Sequence, residues 1–264
     1  AVGAGSAAEV PQVTGKTEKS SYFLRVNRLV GKAIHGYGLL HQGDRIMVAL
    51  SGGSDSLLTL WFLRNWLKKA PISYEILPVH LDMGFGGGTV ETLWRYLSEN
   101  GLSYHIEETG FGIYAHSPGN RGKSPCFICS MLRRKRLFEL AARFGYNKIA
   151  LGHNLDDMIE TFFINLSFIG EMSTHVPRQE MFGGLITIIR PLALVNKGQI
   201  ERLSRELGLP ITKNACPSSG RTRREEIKGL LENFYRLNRH ARGNIAKALT
   251  RIRPEYLPLL SPLP

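Results

Sequence analysis

Arg45-Ile-Met-Val-Ala-Leu-Ser-Gly-Gly-Ser-Asp-Ser-Leu-Leu-Thr-Leu-Trp-Phe-Leu63 decides the fold. Its first six residues form an apolar run with the character of a buried strand, and Leu57–Leu63 is the apolar body of a helix. Between them, Ser51-Gly-Gly-Ser-Asp-Ser56 has the make-up of an anion cradle. Glycines let the backbone approach closely, and the N–H groups and positive end of the helix point at one spot. A Ser/Gly stretch can also be a flexible linker, but a linker seldom joins a buried strand to an apolar helix with no surplus length. No Gly-Lys-Ser/Thr closes the loop, so it is not a Walker P-loop. The Gly-x-Gly-x-x-Gly spacing of a dinucleotide turn is absent as well. The loop reads as a phosphate site and hence a nucleotide site.

Outward from this loop the chain alternates strands and helices. An amphipathic helix is expected from Ser20 to about Leu40, with Phe23, Val26, Leu29, Val30 and Ile34 on one face. Strands are expected at Tyr74–Asp82, Tyr104–Glu107, Asn147–Leu151 and Leu185–Arg190. Helices are expected near Val90–Asn100, Phe127–Phe144, Asp156–Phe168, Lys197–Leu207 and Arg223–Leu237. Met83–Thr89 and Gly110–Pro125 read as glycine-rich loops. This order predicts an α/β fold with a doubly wound parallel sheet and right-handed crossovers, its ligands beyond the carboxyl ends of the strands. Residues 1–19, small and polar, read as a mobile arm. Residues 20–212 read as the catalytic domain, and 213–264 as a basic helical segment packed on it.

Lysine and arginine outnumber aspartate and glutamate by 34 to 22, and the excess is uneven. Lys213–Arg253 carries eleven basic and three acidic residues, a density suited to a phosphate-rich polymer, although a solvated basic surface has the same composition. No apolar run approaches the length of a membrane span. The opening Ala1-Val-Gly-Ala-Gly-Ser-Ala-Ala8 lacks the basic lead and apolar stretch of a secretory signal. Three cysteines, an odd and small number, argue against a secreted disulfide framework and for a cytoplasmic location.

The strand ends supply the remaining nucleotide-site candidates. Ala49 and Leu50 lead into Ser51, Gly52, Gly53, Ser54, Asp55 and Ser56. A carboxylate beside phosphates repels them unless a cation intervenes, so Asp55 is assigned to Mg²⁺. His80, near the end of the second strand, lines an adenine pocket or is an ordinary buried histidine. In Leu151-Gly-His-Asn-Leu-Asp-Asp157, Gly152 permits close approach to a nucleotide. Of Asp156 and Asp157, one caps the following helix and the other faces the site.

Cys126-Phe-Ile-Cys129 sits at a loop-to-helix junction, and Cys216 lies in Asn214-Ala-Cys-Pro-Ser-Ser-Gly220. A thioredoxin-like pair fits the fold context poorly. Structural zinc takes four ligands, so a histidine such as His116 or His153 would have to complete the set. A [4Fe-4S] cluster on three thiolates leaves one iron open to carry sulfide. Three unrelated cysteines are the remaining reading.

Ser51–Ser56 resembles the Ser-Gly-Gly-x-Asp-Ser loop of the PP-loop ATP pyrophosphatases, and Leu151–Asp157 resembles the second signature of those that modify tRNA. Cys126-Phe-Ile-Cys-Ser-Met-Leu-Arg-Arg134 resembles the C-x-x-C-S-x-L-R-R segment of the tRNA 2-thiocytidine synthetases. The resemblance spans about Ser20–Leu237. It implies a Rossmann-like fold of the adenine nucleotide alpha hydrolase type and ATP-dependent thiolation of a tRNA pyrimidine. In that chemistry the 2-carbonyl oxygen is adenylated, pyrophosphate leaves, and sulfur displaces AMP. By position, Cys126, Cys129 and Cys216 become ligands of a [4Fe-4S] cluster, and Asp55, Arg133 and Asp157 become catalytic. ATP, Mg²⁺, tRNA, a sulfide or persulfide donor and a homodimeric partner are implied with them. Arg133–Arg136 and the basic C-terminal third would grip the tRNA.

Three departures qualify the likeness. Ser54 stands where these thiolases commonly have lysine, leaving one phosphate cation to be supplied, with Arg133 or Arg134 as candidates. Cys216-Pro-Ser-Ser-Gly220 is closer to the related tRNA 2-thiouridine synthetases, yet the zinc ribbons of that branch are absent. Lysidine synthesis, persulfide chemistry on Cys126 or Cys129, and a non-catalytic RNA-binding iron–sulfur protein stay open as alternatives.

Overall fold

A computed structural model describes residues 20–257 apart from 69, 121, 123, 214 and 221, together with the backbone of Val2–Gly3. The arm expected over 1–19 otherwise lies outside the described residues. The strands are β1 (Val2–Gly3), β2 (Arg45–Leu50), β3 (Glu75–Asp82), β4 (Tyr104–Glu108), β5 (Lys148–Ala150), β6 (Arg178–Met181) and β7 (Ile186–Ile189). The helices are α1 (Ser21–Gly36), α2 (Ser54–Leu67), α3 (Thr89–Glu99), α4 (Phe111–Ala115), α5 (Pro125–Phe144), α6 (Leu155–Phe168), α7 (Lys197–Glu206), α8 (Arg223–Leu237) and α9 (Ala241–Ala248).

The sheet runs in the order β1-β4-β3-β2-β5-β7-β6. Its five central strands are parallel, and β1 and β6 pair antiparallel at the edges. The chain steps from β2 to one side through β3 and β4, then returns to β2's other side at β5. Strand order therefore reverses between β2 and β5, and a crevice opens at their carboxyl ends.

Alternation along β2 sorts its side chains between two cores. Ile46, Val48 and Leu50 join α1, α2, α3 and α7 in one layer. Met47 and Ala49 join Leu77, Val79, Leu137 and Leu140 in the other, so α5 covers the opposite face. From Ser54 to Leu63 every residue of α2 is buried except Asp55, which is half-buried.

Three elements differ from the sequence reading. The polar tetrad Arg178-Gln-Glu-Met181 forms edge strand β6, held by the pairing of Gln179 with Ile188 and its neighbours rather than by an apolar period. The loop expected over Gly110–Pro125 contains α4, and α9 follows α8. Both helices are short and carry little periodic signal.

The chain divides into two compact units. One comprises Ala1–Met158 and His175–Arg221, the other Ile159–Thr174 and Thr222–Pro264. Among the described residues no helix is long and apolar enough to cross a membrane.

At the amino end of the parallel strands, the buried Lys148 ammonium lies 2.6 Å from Asp44 Oδ2 and donates to Leu39 O at 2.8 Å. Asp44 Oδ2 also accepts from the His41 N–H at 2.6 Å. Removing one partner strands the other's charge in a dry site. Lys148→Met should cost about 3–5 kcal/mol in urea unfolding, and the double variant Asp44→Leu/Lys148→Met should cost less than Lys148→Met alone. A single variant within about 1 kcal/mol of the parent would show that the pair is not a structural tie.

Candidate functional site

The crevice is built by Ser51–Ser56 at the end of β2. Gly52 has φ +82°, and a Cβ there would collide with Thr212 and Thr89, so the loop's second position requires glycine. The Thr212 N–H donates to Gly52 O at 2.9 Å. Ser56 Oγ braces the turn, accepting from Ser51 N–H at 3.1 Å and donating to Gly53 O at 3.0 Å. Gly53 caps α2 with no side chain, which leaves the first-turn N–H groups of a long buried helix facing the crevice.

Gly152 has a packing use that its sequence did not suggest. A Cβ on it would sit 2.8 Å from Asp55 C and Ser56 N, so its bare backbone packs on the start of α2. Asn154 Oδ1 accepts from the N–H groups of Asp156 (2.9 Å) and Asp157 (3.2 Å), and Asp157 Oδ2 accepts from the Asn154 N–H at 3.0 Å. This reciprocal capping box starts α6. The cap is therefore Asn154. Asp156 reaches across to α7, accepting the Lys197 N–H at 2.6 Å. Asp157 lies close enough to Asp55 for its charge to be felt there.

Asp55 is held by Lys197 Nζ at 2.6 Å and by Asn154 Nδ2 at 3.4 Å. Burial raises its carboxyl above the usual carboxylate range, the Lys197 ammonium opposes that, and the charge of Asp157 adds to it. Lys197 Nζ also donates to Ser54 Oγ at 3.3 Å. Sequence reasoning missed Lys197. The available signal was its place at the first turn of the helix after the β7 strand, on the carboxyl side of the sheet. Asn196 fixes that turn, in a capping box with Gln199.

His80 is 5% exposed. Its Nδ1–H donates to Leu50 O at 3.0 Å, and Nε2 is buried without a partner. Burial holds its pKa below the ordinary imidazole value; the Leu50 carbonyl opposes this and the nearby Arg133 reinforces it. Arg133 is itself held below the usual guanidinium range by burial, with Cys129 opposing.

Cys129, Cys126 and Cys216 are brought together. Burial pushes the Cys129 thiol up, Arg133 pulls it down, and Cys216 and Cys126 raise it further. Cys129 Sγ also approaches Met83 Sδ at 3.6 Å. None of the three is in a disulfide; Cys126 is exposed, and Cys129 and Cys216 are half-buried. Among the described residues no three Cys, His, Asp or Glu side chains are placed to hold a single metal ion. A tetrahedral zinc ion draws its thiolates close together, whereas a cubane binds each thiolate at a different iron. Both ring nitrogens of His116 are engaged, Nδ1–H to Gly112 O at 2.8 Å and Nε2 with Ser218 Oγ at 2.7 Å. His153 Nδ1 accepts from Arg190 Nε at 3.2 Å. With both nitrogens taken, His116 does not offer the fourth zinc ligand that the sequence left open.

The arginine run is unequal in use. Arg136 forks onto Glu107 at 2.7 and 3.0 Å and reaches Glu139 at 2.9 Å, so its charge is consumed within the fold. Arg134 lies near Arg190, whose pKa is pushed down to about 10, first by burial and then by Arg134. Within the second unit, Arg224 pairs with Glu160 at 3.3 Å and Arg223 stacks on Phe168. Arg236, Arg239, Lys247, Arg251 and Arg253 are exposed there.

A profile of the PP-loop domain matches residues 24–232. The chain is 35% identical over 237 residues to the tRNA-cytidine(32) 2-sulfurtransferase of Citrifermentans bemidjiense, covering 89% of this chain and 93% of that one. It is 37% identical to the protein of the same name from Geotalea uraniireducens, with 89% and 94% covered. Among solved structures, the U34-tRNA thiolase NcsA from Methanococcus maripaludis with its [4Fe-4S] cluster superposes with a TM-score of 0.71 at 23% identity, over 89% of this chain and 80% of that one. That likeness shows a shared fold.

The raised pKa of Asp55 carries a stability consequence. A carboxyl whose pKa is higher folded than unfolded favours the fold below the ordinary carboxylate range, and that contribution is lost as pH rises through the raised value. Above that raised value the ionised Asp55 therefore costs stability. Asp55→Asn should unfold at higher urea than the parent at pH 7, with the difference shrinking as pH falls toward the carboxylate range. A lower midpoint at pH 7 would show that the Lys197 ion pair outweighs the burial cost.

Proposed function

This chain belongs to the PP-loop domain family and, within it, to the family of the tRNA-cytidine(32) 2-sulfurtransferases, and from that premise we propose that it is an ATP-dependent tRNA sulfurtransferase forming 2-thiocytidine, at position 32 by likeness to its relatives. One observation supports the reading: a chain of neighbours links the thiols to the phosphate loop. Cys129 feels Arg133, Arg133 feels His80, and His80 is bonded to Leu50, the residue before the loop. On the other side Cys216 follows four residues after Thr212, whose N–H holds Gly52.

In the proposed reaction the loop residues Ser51–Ser56 and the α2 N-terminus hold the ATP phosphates, with Ala49, Leu50, His80 and Gly152 lining or shaping the nucleotide site. Asp55 and Asp157 would hold Mg²⁺, and Asp156 anchors α7 beside them. The cytidine 2-carbonyl oxygen attacks the α-phosphorus, its new P–O bond forming as the bond to pyrophosphate breaks. Sulfur then attacks C2, and the C–O bond breaks to release AMP. Arg133, half-buried beside Cys129, stabilises the negative charge that develops in these steps. Three undisulfided thiols, with Cys126 and Cys216 both felt at Cys129, suit a [4Fe-4S] cluster on these residues. Such a cluster supplies a sulfur-carrying iron that has no protein ligand.

The exposed cations of the second unit, within the basic segment 213–264, suit the phosphate backbone of tRNA. The target base must leave its stack to enter the crevice. Sulfide or a persulfide carrier is the donor in this reading, the protein is cytoplasmic like its tRNA substrate, and it works as a homodimer.

Anaerobic iron analysis and a thionucleoside assay test this together. Cys216→Ala should lose both the visible iron absorbance and sulfur incorporation. Arg133→Met should keep its iron and lose thiolation by about a hundredfold. Sulfur incorporation persisting in Cys216→Ala would overturn the cluster role.

A further inference from the structure

The phosphate loop lacks a lysine of its own, and the fold brings one from 143 residues away. Phosphates at Ser51–Ser56 would meet the carboxylate of Asp55, with Asp157 close by. A helix end contributes only a partial positive charge against them. Among the described residues, Lys197 places the one ammonium recorded within hydrogen-bond reach of the loop, at Ser54 Oγ (3.3 Å) and Asp55 Oδ2 (2.6 Å). Ser54 is the position at which the resembling thiolases commonly carry lysine.

We infer that Lys197 is the phosphate-binding cation of this site, supplied by α7 in place of a lysine in the loop, and that it exchanges Asp55 for a nucleotide phosphate when Mg²⁺–ATP enters. The inference rests on the ATP-dependent reading above. Its backbone is pinned on two sides: the Asn196–Gln199 capping box sets the helix start, and Asp156 takes the Lys197 N–H at 2.6 Å. The side chain is 42% exposed. An ammonium has three donors, and Ser54 and Asp55 engage two of them. Stability does not account for the pair, because half-exposed ion pairs contribute little to folding. Paired, the two groups neutralise each other at the loop. Parted, Asp55 is available to a cation and Lys197 to an anion, the charges that Mg²⁺–ATP brings.

Calorimetric titration of Mg²⁺–ATP and of AMP into the full chain tests the assignment without recourse to thiolation. Lys197→Met should weaken ATP binding by at least about tenfold, the worth of a charge-assisted hydrogen bond, and AMP binding by less than about twofold. Adding the loop lysine, in Ser54→Lys/Lys197→Met, should recover most of the lost ATP affinity, which a purely structural role for Lys197 would not allow. ATP binding unchanged in Lys197→Met overturns the inference. So does an equal loss of ATP and AMP that Ser54→Lys fails to repair. A parent protein that binds no Mg²⁺–ATP overturns the ATP reading itself, and the Lys197 role falls with it.

Discussion

Gly152 faces the peptide that joins Asp55 to Ser56 so closely that a Cβ would meet it at 2.8 Å. The end of β5 is thereby seated on the first turn of α2, and the rest of the crevice follows from that contact. Because the two backbones touch, Asn154 can reach Asp55 while capping α6, and Asp157 comes within electrostatic range of Asp55. Because α6 starts there, Asp156 can take the first N–H of α7, which carries Lys197 back to the loop. A side chain at 152 would push the strand end off the helix and loosen every one of these contacts, although residue 152 makes none of them itself.

The strand–loop–helix at 45–63 was legible because every level agreed: an apolar run, a glycine pair and an apolar helix. Cys126, Cys129, Arg133 and Asp157 were singled out because their local segments resemble known motifs. What stayed hidden was placed by tertiary contact. Arg178–Met181 has no strand period, and its pairing with β7 decides its conformation. Lys197 looks like any solvent lysine at the start of a polar helix; only the crossover that returns α7 to α2 gives it a partner. The local pattern also assigned Gly152 to the nucleotide, although the glycine is required by a neighbouring backbone. Arg136 is the converse case, a cation in a basic run whose charge Glu107 takes up from a strand 29 residues away.

The charge distribution within the first unit contrasts with the chain's overall surplus. Much of the net charge of +12 lies in Lys213–Arg253, whereas Asp55 and Asp157 feel each other at the loop, and Arg133 lies near Cys129 and His80. A surplus of that kind attracts polyanions over a long range, while the half-buried groups at the loop act on their immediate neighbours. His80 lies near Arg133 and is bonded to the strand end, with burial holding its pKa below the ordinary imidazole value.

Edge strand β6 has a bearing on how the molecule keeps to itself. It is four residues long, its exposed Arg178 and Glu180 bridge each other at 2.8 Å, and a 3₁₀ turn at Phe182–Gly184 ends it at once. A brief, zwitterionic margin offers a poor template to an incoming ribbon from another molecule. On this side, the open hydrogen-bonding groups of a largely parallel sheet are guarded against fibrillar growth while the chain is crowded during synthesis.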